Sequence, residues 1–232
     1  MPMHDVETRF VTLLEETLIP HFCSKASRAV SPMGFRGDAA RVSEIDTLDF
    51  MRGWEARLLP HIGGGLYRAT ASGASEQFFW EGRKFTVPRT FTLWLEPIIT
   101  LGVLARMHLD FGWPRELIGT QSKPDWAFDV IGRKSESDLN LRVAGEVKKS
   151  PREIDALIGH MQRFCHQSVS SEPSKKAERN AFRKVQALRY HRPDVFWAIG
   201  PNRYEKAFSV EYLACGAIDL TPVSLQALNR NA

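Results

Sequence analysis

The chain has 232 residues, of which 43% are hydrophobic and 25% are charged. This balance is typical of a globular protein with one large domain, or one domain with a small satellite, and it excludes disordered and coiled-coil classes. The most apolar stretch, residues 91–104, is broken by Glu96 and Pro97, so it does not predict a membrane span. The charged N-terminus predicts no signal peptide, and the three widely spaced cysteines form no CxxC pair. We therefore expect a cytoplasmic protein that makes no contact with membranes.

The positive charge of the chain is concentrated in one segment. The whole sequence carries 31 Lys and Arg against 27 Asp and Glu, a net charge of +4. Residues 1–90 hold 11 basic and 11 acidic side chains, whereas residues 175–192 hold seven basic side chains and one acid. Local basicity of this kind favours binding to a polyanion such as nucleic acid.

Residues 1–90 are predicted to form a mainly helical accessory region. Apolar residues recur at helical spacing over 6–18 and again over 44–59, and each segment is followed by proline. Residues 78–87 favour a hairpin that turns at Glu81-Gly82. We therefore expect a helical layer attached to a second region at 91–232.

Residues 91–232 predict an α/β core. The predicted order is a helix at 97–109, strands at 125–131 and 139–148, helices at 151–164 and 175–191, and a strand at 195–199. Strands and helices that alternate in this way are typical of a small mixed sheet flanked by helices.

Two acidic patterns in this region carry the chemistry. Pro124-Asp125 opens the first predicted strand, and Glu146-Val147-Lys148 closes the second. Side chains two apart on a strand share a face, so Glu146 and Lys148 project together, and an antiparallel hairpin brings Asp125 beside them. Two carboxylates supply the oxygen ligands that Mg²⁺ prefers, and a nearby lysine can orient a water molecule.

This pattern resembles the PD-(D/E)xK nuclease superfamily, which has the restriction-endonuclease-like fold. The resemblance covers roughly residues 91–213 and implies a metal-dependent DNA endonuclease. It implies that Asp125, Glu146 and the backbone carbonyl of Val147 hold Mg²⁺, for which Mn²⁺ can substitute, and that Lys148 positions the attacking water. Double-stranded DNA is the expected substrate, and cutting both strands with one site per chain implies a homodimer.

Two acidic positions leave alternatives open. Asp129 lies four residues after Asp125 and so shares its face of the predicted strand, but a proline-preceded acid at the strand's start fits the family better. Glu96 is the only charged residue between Arg89 and Arg106. It either assists at the metal site, as an acid from the preceding helix does in many family members, or accepts backbone N–H groups where its own helix begins.

The basic segment 175–192 predicts an amphipathic helix. On one face lie the residues expected to contact phosphates: Lys176, Arg179, Arg183 and Tyr190. The opposite face carries Ala181, Val185 and Leu188, which can dock on the core. An ordinary solvated surface helix is the alternative.

The sequence leaves three functions open. A restriction or defence endonuclease that reads a site is the leading hypothesis. A toxin or repair nuclease of low specificity is the second. A non-catalytic nucleic-acid-binding or interaction protein on the same fold is the third.

Overall fold

The structure is a computed structural model and describes residues 3–25, 28–137, 140–166, 172–214 and 216–231. It has a mixed α/β architecture. The α-helices are α1 (Met3–Leu13), α2 (Ile19–Cys23), α3 (Glu44–Glu55), α4 (Leu95–Leu109), α5 (Pro151–Cys165) and α6 (Lys176–His191), with a π-helical segment at Leu14–Leu18. The strands are β1 (Val30–Arg36), β2 (His61–Gly63), β3 (Leu66–Tyr67), β4 (Phe79–Glu81), β5 (Arg89–Leu93), β6 (Ile118–Thr120), β7 (Val130–Arg133), β8 (Leu141–Val147), β9 (Val195–Ile199), β10 (Glu205–Tyr212) and β11 (Ile218–Val223).

A six-stranded mixed sheet forms the centre of the C-terminal region. Its strand order is β11-β10-β9-β8-β7-β6. Strands β6, β7 and β8 form an antiparallel meander, and β9 then pairs parallel to β8 with Val147 opposite Ile199. A parallel pair needs a crossover connection, and α5 and α6 supply it. The expected small mixed sheet is therefore present.

Helices cover both faces of this sheet, and side-chain alternation decides which residue meets which helix. Val143, Val147 and Trp197 pack in one core cluster with α4 and the N-terminal region. Ala144, Phe196 and Ala198 pack in a second cluster with α5 and α6. Strands buried on both faces read as nearly continuous apolar runs, which is why β9 has the sequence VFWAI.

Residues 1–90 contain more strand than the sequence predicted. Strands β1, β5 and β4 form a three-stranded sheet in that order, with β1 parallel and β4 antiparallel to β5. Helices still take up more of this region than strands do, but the prediction did not include the sheet. The sequence did not predict β1, VSPMGFR, because it contains a proline and a glycine, which are depleted in strands.

The N-terminal layer and the rest of the chain share one core. Strand β5 spans the expected boundary at residue 90, and both strands that pair with it, β1 and β4, come from residues before 90. Phe10, Phe50 and Phe91 belong to the same buried cluster as Trp197 from β9. The two regions are thus continuous in packing.

Most predicted helices are confirmed, and one predicted strand is wrong. The structure has helices at the positions expected for 44–59, 97–109, 151–164 and 175–191, with shifts of a few residues at their ends. The strand predicted at 125–131 begins only at Val130, and residues 123–125 form a turn. The strand predicted at 139–148 is β8, although Leu139 lies outside the described residues. Within the described ranges, no helix has the length and apolarity needed to span a membrane.

Helices α3 and α4 approach closely because glycine lies at their contact. A Cβ atom built on Gly53 would lie 2.8 Å from the backbone oxygen of Leu101. Gly159, in the exposed face of α5, has no neighbour within 4 Å of such a Cβ. The two glycines therefore respond in opposite ways to the same substitution.

We expect Gly53→Ala to lower the free energy of unfolding by about 1–3 kcal/mol because the methyl group overlaps backbone. Gly159→Ala is the matched control and should raise it by about 0.5–1 kcal/mol through helix propensity. Urea denaturation of both variants measures the difference. Equal effects would contradict this packing of α3 on α4.

Candidate active site

Glu146 is the most deeply buried acid of the predicted site. It lies near the end of β8, and its residue is only 2% exposed. Alternation along β8 places its side chain on the face covered by α5 and α6, together with Ala144. A carboxylate in such a place needs charged partners, because an unpaired buried charge costs several kcal/mol.

Two lysines supply those partners. Lys148 Nζ donates to Glu146 Oε1 at 2.5 Å and to the Val147 carbonyl at 3.1 Å. Lys184, which is 8% exposed on the inner face of α6, makes a close ion contact with Glu146 Oε2 and donates to the Ala127 carbonyl. Burial alone would raise the pKa of Glu146, but the two ammonium groups outweigh it and hold that pKa below its usual value.

Asp129 is the second carboxylate of the site. It immediately precedes β7, and its Oδ2 accepts the backbone N–H of Val147 at 2.9 Å. Burial, and then the nearby charge of Glu146, raise the pKa of Asp129 to about 7, while the two lysines only partly oppose this. The structure thus brings together Asp129, Glu146, Lys148 and the backbone of Val147.

Asp125 lies elsewhere. It is in the 123–125 turn, where its Oδ1 accepts the hydroxyl of Ser122 at 2.9 Å and the N–H of Ala127 at 3.2 Å. Its carboxylate also pairs with His191 Nε2 at 2.9 Å, near the end of α6. His191 follows Lys184 by seven residues, a displacement of about 10 Å along a helix. The expectation that Asp125 opens a strand beside Glu146 is therefore wrong, and Asp129 occupies that position.

Glu96 faces the same cavity as Lys148. It lies in the first turn of α4, and its Oε2 accepts the indole N–H of Trp94 at 3.0 Å. An open cavity of about 730 Å³ separates it from α5 and α6. The residues that line this cavity include Glu96, Lys148, His160, Lys176, Arg179 and Arg183.

The basic helix has the two faces that its sequence predicts. Ala181, Val185 and Leu188 are buried against the core. Lys176, Arg183 and Tyr190 are exposed and Arg179 is partly exposed, although Arg183 pairs with Glu172. Three of the four predicted contact residues line the cavity beside Lys148, and Tyr190 does not.

Sequence reasoning missed Lys184. This lysine lies three residues after Ala181 and four before Leu188, so it belongs to the buried stripe of α6. A single charged residue inside an apolar helical stripe indicates a buried partner of opposite charge, and that signal was available in the sequence.

A glutamine links the site to the N-terminal layer, and this link was also missed. Gln121 Nε2 donates to Glu76 Oε1 at 3.2 Å and lies 3.5 Å from Asp129 Oδ1. Glu76 is 8% exposed, and burial raises its pKa. The spacing of these residues in the sequence does not predict the contact between Gln121 and Glu76, because that contact forms only when residue 76 packs beside β6.

The donors present fit a hard divalent cation. Apart from its ion contact with Lys184, the buried Glu146 Oε2 accepts no hydrogen bond within the described part of the chain. The Lys148 ammonium bonds both Glu146 Oε1 and the Val147 carbonyl oxygen, so these two oxygens already attract one positive charge. Across the described ranges, no three His, Cys, Asp or Glu side chains are grouped to hold a metal. Asp129 and Glu146 would supply two carboxylates and Val147 one backbone carbonyl. Mg²⁺ commonly completes its shell with waters and phosphate oxygens.

No protein-family model, curated protein or solved structure matches this chain.

The raised pKa of Asp129 predicts how stability depends on pH. A carboxyl group whose folded pKa is higher than its unfolded pKa destabilises the fold progressively as pH rises between the two values. For Asp129 that window runs from 3.8 to about 7. Asp129→Asn should therefore leave stability nearly unchanged at pH 4 and raise it at pH 8, by about 4 kcal/mol.

Thermal denaturation of Asp129→Asn and wild type between pH 4 and 8, without divalent cations, measures this effect. Asp125→Asn is the matched control, and its expected effect on stability has the opposite sign. Its hydrogen bonds with His191 and Ser122, which outweigh burial, lower the pKa of Asp125, so its removal should cost stability at neutral pH. A stability difference for Asp129→Asn that does not grow with pH would contradict the burial of this carboxylate.

Proposed function

We propose that the protein is a metal-dependent DNA endonuclease with a restriction-endonuclease-like core. One observation carries the proposal: buried Glu146, two residues before Lys148 on the same face, lies beside Asp129 at the start of the adjacent antiparallel strand. This is the juxtaposition that the resemblance to PD-(D/E)xK nucleases requires, with Asp129 in place of Asp125.

The order of the elements supports the same proposal. The resemblance implies a helix, a strand bearing the acid, a strand bearing ExK, a helix and a final strand. Helix α4, strands β7 and β8, helix α5 and strand β9 follow in that order, with an additional strand, β6, before β7 and an additional helix, α6, before β9. The acid itself comes one residue before β7.

Asp129, Glu146 and the Val147 carbonyl would hold the metal. A bound Mg²⁺ supplies a water of lowered pKa and neutralises charge on the phosphate. Lys148 must then leave the Val147 carbonyl, and its ammonium becomes available to orient the attacking water. Attack on phosphorus with departure of the 3′ oxygen leaves a 5′-phosphate, the outcome that the resemblance implies.

Lys184 and the cavity cations have separate roles in this mechanism. Lys184 pairs with Glu146 from the side of α6 and so fixes the orientation of the carboxylate. Lys176, Arg179 and Arg183 line the cavity next to Lys148, where they can neutralise the phosphates that flank the scissile bond.

We expect Glu146→Gln and Lys148→Ala each to reduce Mg²⁺-dependent cleavage of supercoiled plasmid by about 100-fold or more. Asp129→Asn should cause a comparable reduction, and Asp125→Asn, the same chemical change four residues away, should retain most activity. The measurement is the rate of plasmid nicking and linearisation, with EDTA as the metal-free control and circular dichroism as the test of folding.

Wild-type rates in folded Glu146→Gln and Lys148→Ala would show that the site is elsewhere. The reverse order of damage between Asp129 and Asp125 would return the ligand to Asp125. Mapping the cut ends separates the two nuclease hypotheses, because a restriction enzyme yields discrete fragments and a nuclease of low specificity yields a smear. No cleavage under any divalent metal would favour the non-catalytic binding protein.

The outward cations of α6 predict how DNA binding depends on salt. Removal of one phosphate-binding cation should reduce the slope of log K against log salt concentration by about 0.9 for duplex DNA, because one fewer counterion is released. Changing Arg179 and Arg183 together to Gln should therefore weaken binding to all sequences alike and flatten the slope by up to about 2 units.

The control changes Arg41 and Arg57, two exposed arginines of the N-terminal layer, to Gln. This pair removes the same charge without touching α6. Binding is measured by fluorescence anisotropy across a salt titration in EDTA. Equal slopes for wild type and the α6 variant would contradict a phosphate-contacting role for this helix.

A further inference from the structure

The three-stranded sheet presents one face to solvent. Strand register places Arg36, Thr92 and Trp80 side by side, so their side chains share a face. The other face carries Phe79 and Phe91, which are buried in the core. Trp80 is 59% exposed, so much of its indole ring is open to a flat ligand.

A second exposed tryptophan extends this face toward the candidate active site. Trp94 follows β5, and its backbone N–H bonds the Phe78 carbonyl, which continues the ladder of β4 and β5. It lies two residues after Thr92 and so is a diagonal neighbour of Trp80, within reach of aromatic side chains. Its indole N–H donates to Glu96, which lines the same cavity as Lys148.

Positive charge accompanies the two rings. Arg36 is exposed, and within the described residues it forms no ion pair. Arg83 and Lys84 lie in the exposed loop between β4 and β5. The row of Arg36, Thr92 and Trp80 contains no acid. We call the surface formed by Arg36, Thr92, Trp80 and Trp94 the outer sheet face.

We propose that the outer sheet face binds unpaired nucleotides, with bases stacked on Trp80 and Trp94 and the backbone held by Arg36. The inference builds on the proposed nuclease function and specifies its substrate as DNA with a single-stranded stretch beside the cleavage point. Flat aromatic rings combined with cations are the elements that recognise single strands. In a duplex the base faces are covered by neighbouring bases, and only unpaired bases can stack on an indole.

Continuity with the cavity supports this occupant over a protein. The outer sheet face is linked to the cavity by the hydrogen bond from Trp94 to Glu96, and Glu96 lines the cavity together with Lys148, Arg179 and Arg183. A strand bound along this path would have bases on the tryptophans and phosphates on the cations.

The test measures binding in EDTA, so that cleavage plays no part. Fluorescein-labelled oligothymidine and a blunt hairpin duplex of equal length are titrated with wild type, Trp80→Ala and Trp80→Phe. Stacking on one aromatic ring is worth about 1–3 kcal/mol, so Trp80→Ala should weaken single-strand binding by at least about fivefold. Trp80→Phe should restore part of the affinity, because the phenyl ring keeps a flat face.

Trp126→Ala is the matched control, because Trp126 is 64% exposed but lies in the loop after the 123–125 turn. Unchanged oligothymidine affinity in Trp80→Ala, or an equal reduction in Trp126→Ala, would overturn the assignment. Equal weakening of duplex and single-strand binding would also overturn it. Light scattering tests whether a second copy of the chain binds this face instead. If the wild type is a dimer and Trp80→Ala dissociates it, the face serves self-association and the proposal is overturned.

Failure of this inference can be told apart from failure of the proposed function. If the nuclease proposal alone fails, single-strand binding and its dependence on Trp80 persist in EDTA while no metal supports cleavage. If the outer sheet face alone fails, Mg²⁺-dependent cleavage persists, and a forked duplex is cut no faster than a blunt one.

Discussion

The charge on Glu146 has to be stabilised in the interior, and this constraint organises the C-terminal half of the protein. A carboxylate at 2% exposure is unfavourable unless opposite charges lie against it. One ammonium group comes from Lys148 at the end of the same strand, and the other comes from Lys184 on α6. Helix α6 can satisfy this requirement in only one rotational setting, with Lys184 directed at the sheet. That setting also determines which cations of α6 face the cavity.

The two carboxylates of the candidate site are unequal because their partners are unequal. Glu146 has an ammonium group on each oxygen and remains ionised, whereas Asp129 is bonded by a backbone N–H and is repelled by Glu146. If the proposed metal binds here, its positive charge would favour ionisation of both acids. Proton release from Asp129 would then accompany metal binding.

Local patterns predicted much of the fold and part of the site. Strand β8, the shared face of Glu146 and Lys148, and the two faces of α6 all follow from periodicities of two and 3.6 residues. The strand predicted from Asp125 to Ile131 was wrong over its first half, although the sequence there alternates as a strand does. Hydrogen bonds of Asp125 with Ser122 and with His191, 66 residues away, hold that half as a turn. The place of Lys184 in an apolar stripe indicates a buried acid but does not identify Glu146, and no local pattern predicts the contact of Gln121 with Glu76, 45 residues away. The outer sheet face could not be predicted from the sequence, because it depends on the register in which β1, β4 and β5 pair.

The contact of Gln121 with both Glu76 and Asp129 has a consequence for how this protein could have been assembled. A segment that folds by itself can be joined, like a cassette, to an unrelated partner. Here the first 90 residues contribute Glu76 to the surroundings of an acid that would hold the metal, and they complete the sheet to which β5 belongs. A cassette cut at residue 90 would lack the strands that pair with β5 and would expose Phe91. The two regions are therefore expected to have changed together, and transplanting the C-terminal half alone would transfer the acidic pair without the environment that sets its protonation.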